Sequence, residues 1–231
     1  MIKAVLLDMD GTILDTEAIH KKCWERAMNE AGIDYTPRTF YDLIGLNDKS
    51  TYEYFKSNFG ITDELYNKIS VNAYFYADEY VIKNGINVKK GFFELSDFIA
   101  DKGLKTAVVT SSIRSVAENN FKLAKIIRPF DAIIGGDCVT NGKPGPEPFL
   151  KAAKAVGILT EECLAVEDSS NGIRSAHAAG IKCVYIKDMT DIPDNVKALA
   201  DYKTESLDKI IDIIRNTNDD LNHKGNNSLL S

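Results

Sequence analysis

Short apolar runs alternate along the chain with stretches in which apolar residues recur at helical spacing. The runs are rich in β-branched residues and cover positions 2–7, 106–110, 132–134, 164–166 and 184–186. Helical spacing is found over 92–100, 116–124, 148–156 and 172–178. Continuous apolar strands connected by helices are typical of a parallel sheet that is covered on both faces. The pattern therefore predicts an α/β fold built on a parallel sheet.

The segment 15–86 departs from this alternation because it contains no comparable strand run. Its apolar residues first trace one face of a helix over 19–31, which Asp15 or Thr16 can cap at its start. Further helices are predicted over about 50–59 and 63–80. This pattern indicates an all-helical insertion placed directly after the first strand.

The domain organisation follows from this insertion. We expect a core domain formed by 1–14 and 87–215 and a helical cap domain over 15–86. The aromatic run from Ala73 to Tyr80 is expected to bury its rings inside the cap. The tail 216–231 is polar and rich in Asn, and we predict that it is disordered.

Composition narrows the class of protein. The 231 residues are 44% hydrophobic and carry a formal net charge of -6, without a dense stripe of Lys and Arg. This argues against nucleic acid or an anionic membrane as the main partner. The apolar runs are also far shorter than the roughly 18 residues that a membrane span requires. We expect a cytoplasmic protein and, in the absence of a long heptad pattern, a monomer.

Carboxylates and hydroxyls follow three of the predicted strands, and a lysine lies in a loop before the last of the three. In an open parallel sheet the carboxyl ends of the strands meet at one rim, where ligands bind. The residues expected at this rim are Asp8, Asp10, Thr110, Ser111, Lys143, Glu167 and Asp168.

This collection of side chains suits phosphoryl transfer. Four carboxylates close together repel each other unless a cation lies among them, and a few oxygen ligands that leave room for phosphate and water suit Mg²⁺. An aspartate can then attack phosphorus and form an aspartyl-phosphate. Asp8 is the better nucleophile, and Asp10 is placed to act as general acid and then as general base. Ser111 either adds to the phosphate cradle or only fills the space after its strand.

Four ordered motifs carry a resemblance to a known family. They are Asp8-Met-Asp-Gly-Thr12, Thr110, Lys143 in the context Gly-Lys-Pro-x-Pro-x-Pro-Phe, and Glu167-Asp168-Ser-x-x-Gly172. Together they resemble the motifs of haloacid dehalogenase-like hydrolases over nearly the whole chain apart from the tail. The resemblance implies a Rossmann-like core with a small helical cap. The run from Asp8 to His20 resembles the β-phosphoglucomutase-like group, which also contains many sugar-phosphate phosphatases.

The resemblance implies a role for each of these residues. Asp8 would be the nucleophile and a metal ligand, and Asp10 would be the acid and base, with its backbone carbonyl also reaching Mg²⁺. Asp168 would bind the metal, and Glu167 would support the metal site directly or through water. The phosphoryl group would be held by Thr110 and Lys143.

Two cap residues bear on the substrate. His20 has the spacing at which the mutase-like group places a histidine near its reacting hydroxyl, and the alternative is a plain surface histidine. Lys49 lies where the mutase carries an arginine for the distal phosphate, and a lysine cannot form the same bidentate fork. A mutase must hold a bisphosphate by both ends, so a cap with few cations favours a phosphatase.

We therefore predict a Mg²⁺-dependent phosphatase that acts on a small phosphorylated metabolite such as a sugar or polyol phosphate. The nearest alternative is β-phosphoglucomutase, which interconverts β-glucose 1-phosphate and glucose 6-phosphate. A different class is a phosphate-responsive binding or signalling module, because receiver domains also combine acids, a Thr or Ser, a lysine and Mg²⁺. Asp10, the helical insertion and the length of the chain argue against that class.

Replacing Asp10 separates an enzyme from a binding module. Asp10→Asn keeps the size of the side chain but removes its ability to give and take a proton, so we expect turnover of a phosphomonoester to be abolished. Steady-state release of phosphate measures this effect. Unaltered turnover in Asp10→Asn would contradict the mechanism.

Overall fold

The computed structural model describes residues 1–43, 46, 48–127, 130–189 and 191–227. Within them the chain forms six strands: β1 (Ala4–Leu7), β2 (Lys105–Val109), β3 (Ala132–Ile134), β4 (Cys163–Glu167), β5 (Lys182–Ile186) and β6 (Tyr202–Thr204). The first helices are α1 (Glu17–Glu30), α2 (Pro37–Leu43), α3 (Asp48–Phe59), α4 (Asp63–Asn84) and α5 (Phe92–Asp101). The remaining helices are α6 (Arg114–Leu123), α7 (Glu147–Val156), α8 (Ser170–Ala178), α9 (Asp194–Lys197) and α10 (Ile210–Asn227).

The six strands form one parallel sheet in the order β3-β2-β1-β4-β5-β6. β1 lies at the centre, and its four residues are all buried, which explains why they are uniformly apolar. Leu7 pairs with Val108 of β2 and with Val166 of β4. This register aligns the carboxyl ends of the three central strands, so the residues that follow them meet at one rim. The predicted α/β parallel-sheet core is confirmed.

Each face of the sheet has its own hydrophobic core. On one face, Val5 and Leu7 of β1 belong to a cluster with residues of α5, α6 and α10. On the other face, Ala4 and Leu6 belong to a cluster with residues of α7 and α8. The two clusters divide β1 because alternate side chains of a strand point to opposite faces. The central strand is thereby fixed in register, and with it the acidic residues that follow.

The helices α1 to α4 lie between β1 and α5 in the chain and form a helical insertion. α1 packs against α4, and a separate cluster fills their interior. The ring of Trp24 stacks on that of Phe55, with ring centroids 5.3 Å apart. Phe55 is fully buried. No strand occurs in the part of the insertion that the structure describes, as the pattern predicted; the exact domain boundaries at 15 and 86 stay a prediction.

The two connections between the insertion and the sheet run side by side. Leu14 and Val88 form an antiparallel bridge. Beside it, the N–H of Asp15 donates to the carbonyl of Asn87 at 2.9 Å, and the N–H of Lys89 donates to the carbonyl of Ile13 at 2.8 Å. The insertion therefore starts and ends at one point, a few residues after the carboxyl end of β1.

The prediction of a disordered tail from residue 216 is wrong over 216–227, because α10 continues to Asn227. The helix is anchored to the start of the chain: Asn218 accepts a hydrogen bond from the N–H of Ile2 at 2.6 Å and donates one to its carbonyl at 3.2 Å. Thr217 also shares a hydrogen bond with Tyr202 at 3.2 Å. A polar, Asn-rich sequence is thus held by polar partners far away in the chain. Residues 228–231 lie outside the described residues.

No helix that the structure describes is both long and apolar enough to cross a bilayer.

The anchoring of α10 can be tested by comparing two asparagines on that helix. Asn218→Ala removes both hydrogen bonds to Ile2, and we expect it to lower the free energy of unfolding by about 1–2 kcal/mol, since a net hydrogen bond contributes roughly 0.5–1.5 kcal/mol. Urea denaturation measures the change. Asn216→Ala, at an exposed position, is the matched control. Equal effects of the two substitutions would show that α10 is not held through Asn218.

Candidate active site

Three buried acids meet at the carboxyl ends of the two central strands. Asp8 follows β1, Glu167 ends β4 and Asp168 comes next. The N–H of Asp8 still bonds to the carbonyl of Val166 at 3.0 Å, which holds the two strand ends together. One carboxylate oxygen from each of the three acids lies within 4.8 Å of the others. The acids that the sequence placed at one rim are therefore brought together.

Lys143 reaches this cluster from the loop before α7. Its ammonium donates to Asp8 Oδ1 at 2.5 Å, to Glu167 Oε1 at 2.6 Å and to the carbonyl of Val109 at 2.9 Å. All three of its N–H bonds thus have protein acceptors. Only 2% of the side chain is exposed, so the ion pairs are shielded from water. The lysine predicted from the loop lies against the predicted nucleophile.

The charges in this cluster do not balance. Burial raises the pKa of Asp8 well above its usual range; the Lys143 ammonium opposes this, while neighbouring carboxylates add to it. Burial also raises the pKa of Asp168, with the charge of Glu167 next in importance. For Lys143, the two adjacent carboxylates outweigh burial and raise its pKa. One ammonium therefore faces three carboxylates, an excess of negative charge that a bound cation would relieve.

Asp10 is held in place by hydroxyl groups. Thr16 donates to its Oδ1 at 2.6 Å, and Ser112 donates to its Oδ2 at 3.2 Å. Thr110 makes a longer contact with the same Oδ2 at 3.4 Å. Thr16 is the residue before α1 but makes no side-chain cap there, so its predicted capping role is replaced by the bond to Asp10. The carboxylate of Asp10 is thereby fixed two residues beyond Asp8.

Glu167 is occupied on both of its oxygens. Lys143 binds Oε1, and the hydroxyl of Ser169 donates to Oε2 at 3.2 Å. A Cβ on residue 172 would lie 1.9 Å from the carboxylate, so only glycine fits at Gly172. Glu167 is fully buried. These contacts agree with a supporting role at a metal site better than with direct ligation.

The donor set fits Mg²⁺. The carboxylate oxygens of Asp8 and Asp168 are hard ligands that lie close together. Their negative charge is only partly neutralised by the Lys143 ammonium. Mg²⁺ is held in proteins by one or two carboxylates and keeps room for water and phosphate. Asp8 and Asp168 are therefore the residues that would hold the ion, with Glu167 behind them.

A cavity opens above the acids, between the sheet and the helical insertion. On the sheet side it is lined by Asp8, Asp10, Ser111, Ser112, Asp168 and Ser169. Side chains of the insertion close the opposite side; among them are Glu17, His20, Trp24, Tyr35, Phe40 and Tyr74. The cavity thus joins the predicted catalytic residues to residues of the insertion.

The predicted residues outside the acidic cluster have different positions. Thr110 is buried at the end of β2, and Ser111 and His20 line the cavity. Lys49 lies on α3 with an exposed side chain and is not among the described residues that line the cavity. The roles in phosphate and substrate binding that we assigned to these residues stay predictions.

The aromatic run on α4 is not buried as expected. Phe75 is 55% exposed and Tyr80 is 41% exposed. Tyr74 instead lines the cavity, with its ring edge-on to Trp24 at 6.1 Å between centroids. A helix of 22 residues has only one side against α1, so four aromatic residues in a run of eight cannot all face inward.

Sequence reasoning missed Glu17, which lines the cavity in the first turn of α1. Burial, together with the charges of Asp10, Asp188 and Asp8, raises the pKa of Glu17 to about 8. An acid in the first turn of a helix is ordinary, because it faces the positive end of the helix dipole. Only its position three residues before His20, on the same helix, could have indicated that it faces the site.

The chain is similar in sequence to known proteins. The family model of haloacid dehalogenase-like hydrolases matches residues 5–186. A phosphorylated carbohydrates phosphatase of Thermotoga maritima is 28% identical over 80% of this chain and 84% of that protein. PpaX of Caldanaerobacter subterraneus, a candidate pyrophosphatase by its name, is 30% identical over 95% of this chain and 97% of that protein. A plant relative, 32% identical over 80% of this chain, is much longer, and the chain spans 18% of its length.

A solved structure gives the same fold. β-Phosphoglucomutase from Clostridium difficile superposes with a TM-score of 0.80 over 96% of this chain and 99% of that chain. The two sequences are 21% identical, so this likeness bears on the fold alone.

The raised pKa of Glu17 predicts how stability depends on pH in metal-free protein. A group whose pKa rises from 4.5 to about 8 on folding stabilises the folded state at low pH, and this contribution is lost as the pH rises through 8. Glu17→Gln cannot titrate, so we expect its stability relative to the unmodified protein to increase between pH 5 and about 8.

Urea denaturation in the presence of a chelator, repeated across this pH range, measures the difference. Glu25→Gln, which removes a carboxylate at an exposed position on the same helix, is the control. If Glu17→Gln behaves like Glu25→Gln, Glu17 titrates normally.

Proposed function

The chain belongs to the haloacid dehalogenase-like hydrolases, and we propose that it is a Mg²⁺-dependent phosphatase of small phosphomonoesters that works through phospho-Asp8. The observation that carries the proposal is the position of Asp8. Its buried carboxylate lines the cavity, touches the Lys143 ammonium and has Asp10 two residues away. A nucleophile, a charge-neutralising cation and a proton donor are the parts that phosphoryl transfer through an aspartate requires.

The reaction consists of two displacements at phosphorus. In the first, a carboxylate oxygen of Asp8 forms a bond to phosphorus while the bond to the ester oxygen breaks, and Asp10 gives that oxygen a proton. In the second, water attacks the phosphorus of the aspartyl-phosphate, Asp10 takes its proton, and the bond to Asp8 breaks. Phosphate leaves and both aspartates regain their starting states.

The surrounding residues support these steps. Thr16 and Ser112 hold the Asp10 carboxylate, so it does not have to be ordered when substrate arrives. Lys143 lies against Asp8, where negative charge from the phosphoryl group would be shared. Bound Mg²⁺ would supply further positive charge for the phosphoryl oxygens.

The helical insertion, proposed as a cap over 15–86, supports substrate selection. Both of its connections leave the sheet beside β1, and its side chains form one wall of the cavity. A cap with two adjacent hinges can open for substrate and close to exclude water. The aromatic rings of Trp24 and Tyr74 offer an apolar surface, and Glu17 and His20 offer polar partners. A sugar or polyol presents both kinds of surface.

The charge of this wall favours a phosphatase over the mutase. Among the described residues that line the cavity, none from the insertion is Lys or Arg. A mutase must hold the second phosphate of a bisphosphate, and this wall offers it Glu17 instead. The named carbohydrate phosphatase of Thermotoga maritima supports the same substrate class.

A ³¹P NMR time course with Mg²⁺ tests the proposal. Separate samples receive hexose 6-phosphates, polyol phosphates, inorganic pyrophosphate, and β-glucose 1-phosphate with a trace of glucose 1,6-bisphosphate. We expect inorganic phosphate to appear fastest from a sugar or polyol phosphate and at no detectable rate with Asp8→Asn.

Three other outcomes of this time course would contradict the proposal in whole or in part. Conversion of β-glucose 1-phosphate into glucose 6-phosphate with little free phosphate would make the protein a mutase. Fastest release from pyrophosphate would overturn the substrate class and leave the mechanism in place. Release that persists in Asp8→Asn would contradict the phospho-Asp8 mechanism itself.

A further inference from the structure

An additional acid lies beside the proposed metal site. Asp188 follows the carboxyl end of β5, the strand next to β4 in the sheet. Its side chain is 7% exposed. Asp188 belongs to none of the four motifs and does not line the cavity above Asp8.

The two oxygens of Asp188 have different surroundings. Oδ1 accepts a short hydrogen bond from the ammonium of Lys89, whose backbone forms part of the hinge between sheet and insertion. Oδ2 is buried and has no hydrogen-bond partner among the residues that the structure describes. Burying a carboxylate oxygen without a hydrogen-bond donor destabilises the folded protein. The unpartnered Oδ2 therefore indicates a bound ligand that can donate a hydrogen bond.

The unpartnered oxygen faces the acidic cluster. A Cβ built on Gly11 would lie 2.3 Å from Asp168 Oδ2 and 3.0 Å from Asp188 Oδ2. The two oxygens therefore approach the same point, and the missing side chain of Gly11 leaves the space between them open. The charge of Asp188 is also one of the causes that raise the pKa of Asp168. The two carboxylates repel across this gap unless a donor or a cation separates them.

We propose that Asp188 is a further residue of the metal site, which accepts a hydrogen bond from a water bound to the ion held by Asp8 and Asp168. This inference rests on the proposed function, because it requires that the acids bind Mg²⁺. Mg²⁺ keeps several of its waters when it binds proteins, and each water has two hydrogens to donate. Lys89 fixes the orientation of the Asp188 carboxylate, as partners outside the ligand set commonly do at metal sites.

Within the described part of the chain, Lys89 is the partner of Asp188, and it contacts Oδ1 alone. Lys89 takes Oδ1 and also lies 3.9 Å from Asp15, so its ammonium is shared between the hinge and the rim. Asp188 is therefore a positioning residue: it acts on the ion through water and touches neither phosphorus nor the leaving group. A role of this kind should appear in metal affinity.

Titration of metal-free protein with Mn²⁺, followed by electron paramagnetic resonance, measures that affinity without turnover. In Asp188→Asn the side chain keeps its shape and can still accept from Lys89, but it turns an N–H toward the gap. We expect the dissociation constant to rise about 10–100-fold, the range for residues that support metal ligands. Asp194→Asn removes the same charge from a side chain that is 97% exposed and pairs with Lys197, so it should change the dissociation constant less than about twofold.

Thermal denaturation of the metal-free variants separates metal binding from folding. Asp188→Asn relieves the repulsion between the carboxylates of Asp188 and Asp168 but weakens the ion pair with Lys89, and the metal-free melting temperature measures the sum of these two effects. The increase in melting temperature that Mg²⁺ causes should be smaller in Asp188→Asn than in the unmodified protein. An unchanged Mn²⁺ affinity in Asp188→Asn, or an equal loss in Asp194→Asn, would overturn the inference. If the unmodified protein bound neither Mn²⁺ nor Mg²⁺, the proposed function would fail together with the role of Asp188. If the unmodified protein bound metal and hydrolysed substrate while Asp188→Asn kept its affinity, only the role of Asp188 would fail.

Discussion

The contact between the Lys143 ammonium and the carboxylates of Asp8 and Glu167 is the interaction on which the site depends. All three side chains are buried, so each charge is stable there only because of the others. The contact requires β1 beside β4, which the strand order of the sheet provides, and the loop before α7, which brings Lys143 to the carboxyl ends of these strands. The ammonium neutralises only part of the negative charge, since Asp168 lies in the same cluster. The folded protein therefore presents a site with an excess of negative charge, which the proposed Mg²⁺ ion would neutralise.

The same rim also explains where the helical insertion is attached. The chain leaves β1 through Asp8 and Asp10, turns at Gly11, and pairs with the returning strand segment at Leu14 and Val88. A movement of the insertion about these connections acts close to Asp10 and to Lys89. The groups that hold Asp10 come from both sides of the hinge, since Thr16 lies at the start of the insertion and Ser112 follows β2. In the proposed mechanism, closure of the insertion and ordering of Asp10 as the proton donor would therefore be coupled through adjacent atoms.

A feature of this structure could be predicted from the sequence when the residues that determine it lie close together in the chain. The acids that follow β1 and β4 were predictable, because a charge at the end of a buried apolar run requires compensation nearby. Glu17 could not be told from an ordinary first-turn acid, and Asp188 lies beside Asp168 only because β5 pairs with β4. The continuation of α10 depends on Asn218 and Ile2, which are 216 positions apart. β6 was missed because its residues Tyr202–Thr204 form no apolar run at the edge of the sheet.

The central claim is that the phosphoryl group passes through Asp8, and chemical trapping tests it most directly. Protein turning over a substrate with Mg²⁺ is quenched and reduced with borohydride, which converts an aspartyl-phosphate into homoserine, and its peptides are examined by mass spectrometry. The account predicts homoserine at position 8 only in protein that received substrate. A sample of Asp10→Asn that received no substrate should contain none. Homoserine at another aspartate, or an unmodified Asp8 peptide from protein that was releasing phosphate steadily, would contradict it.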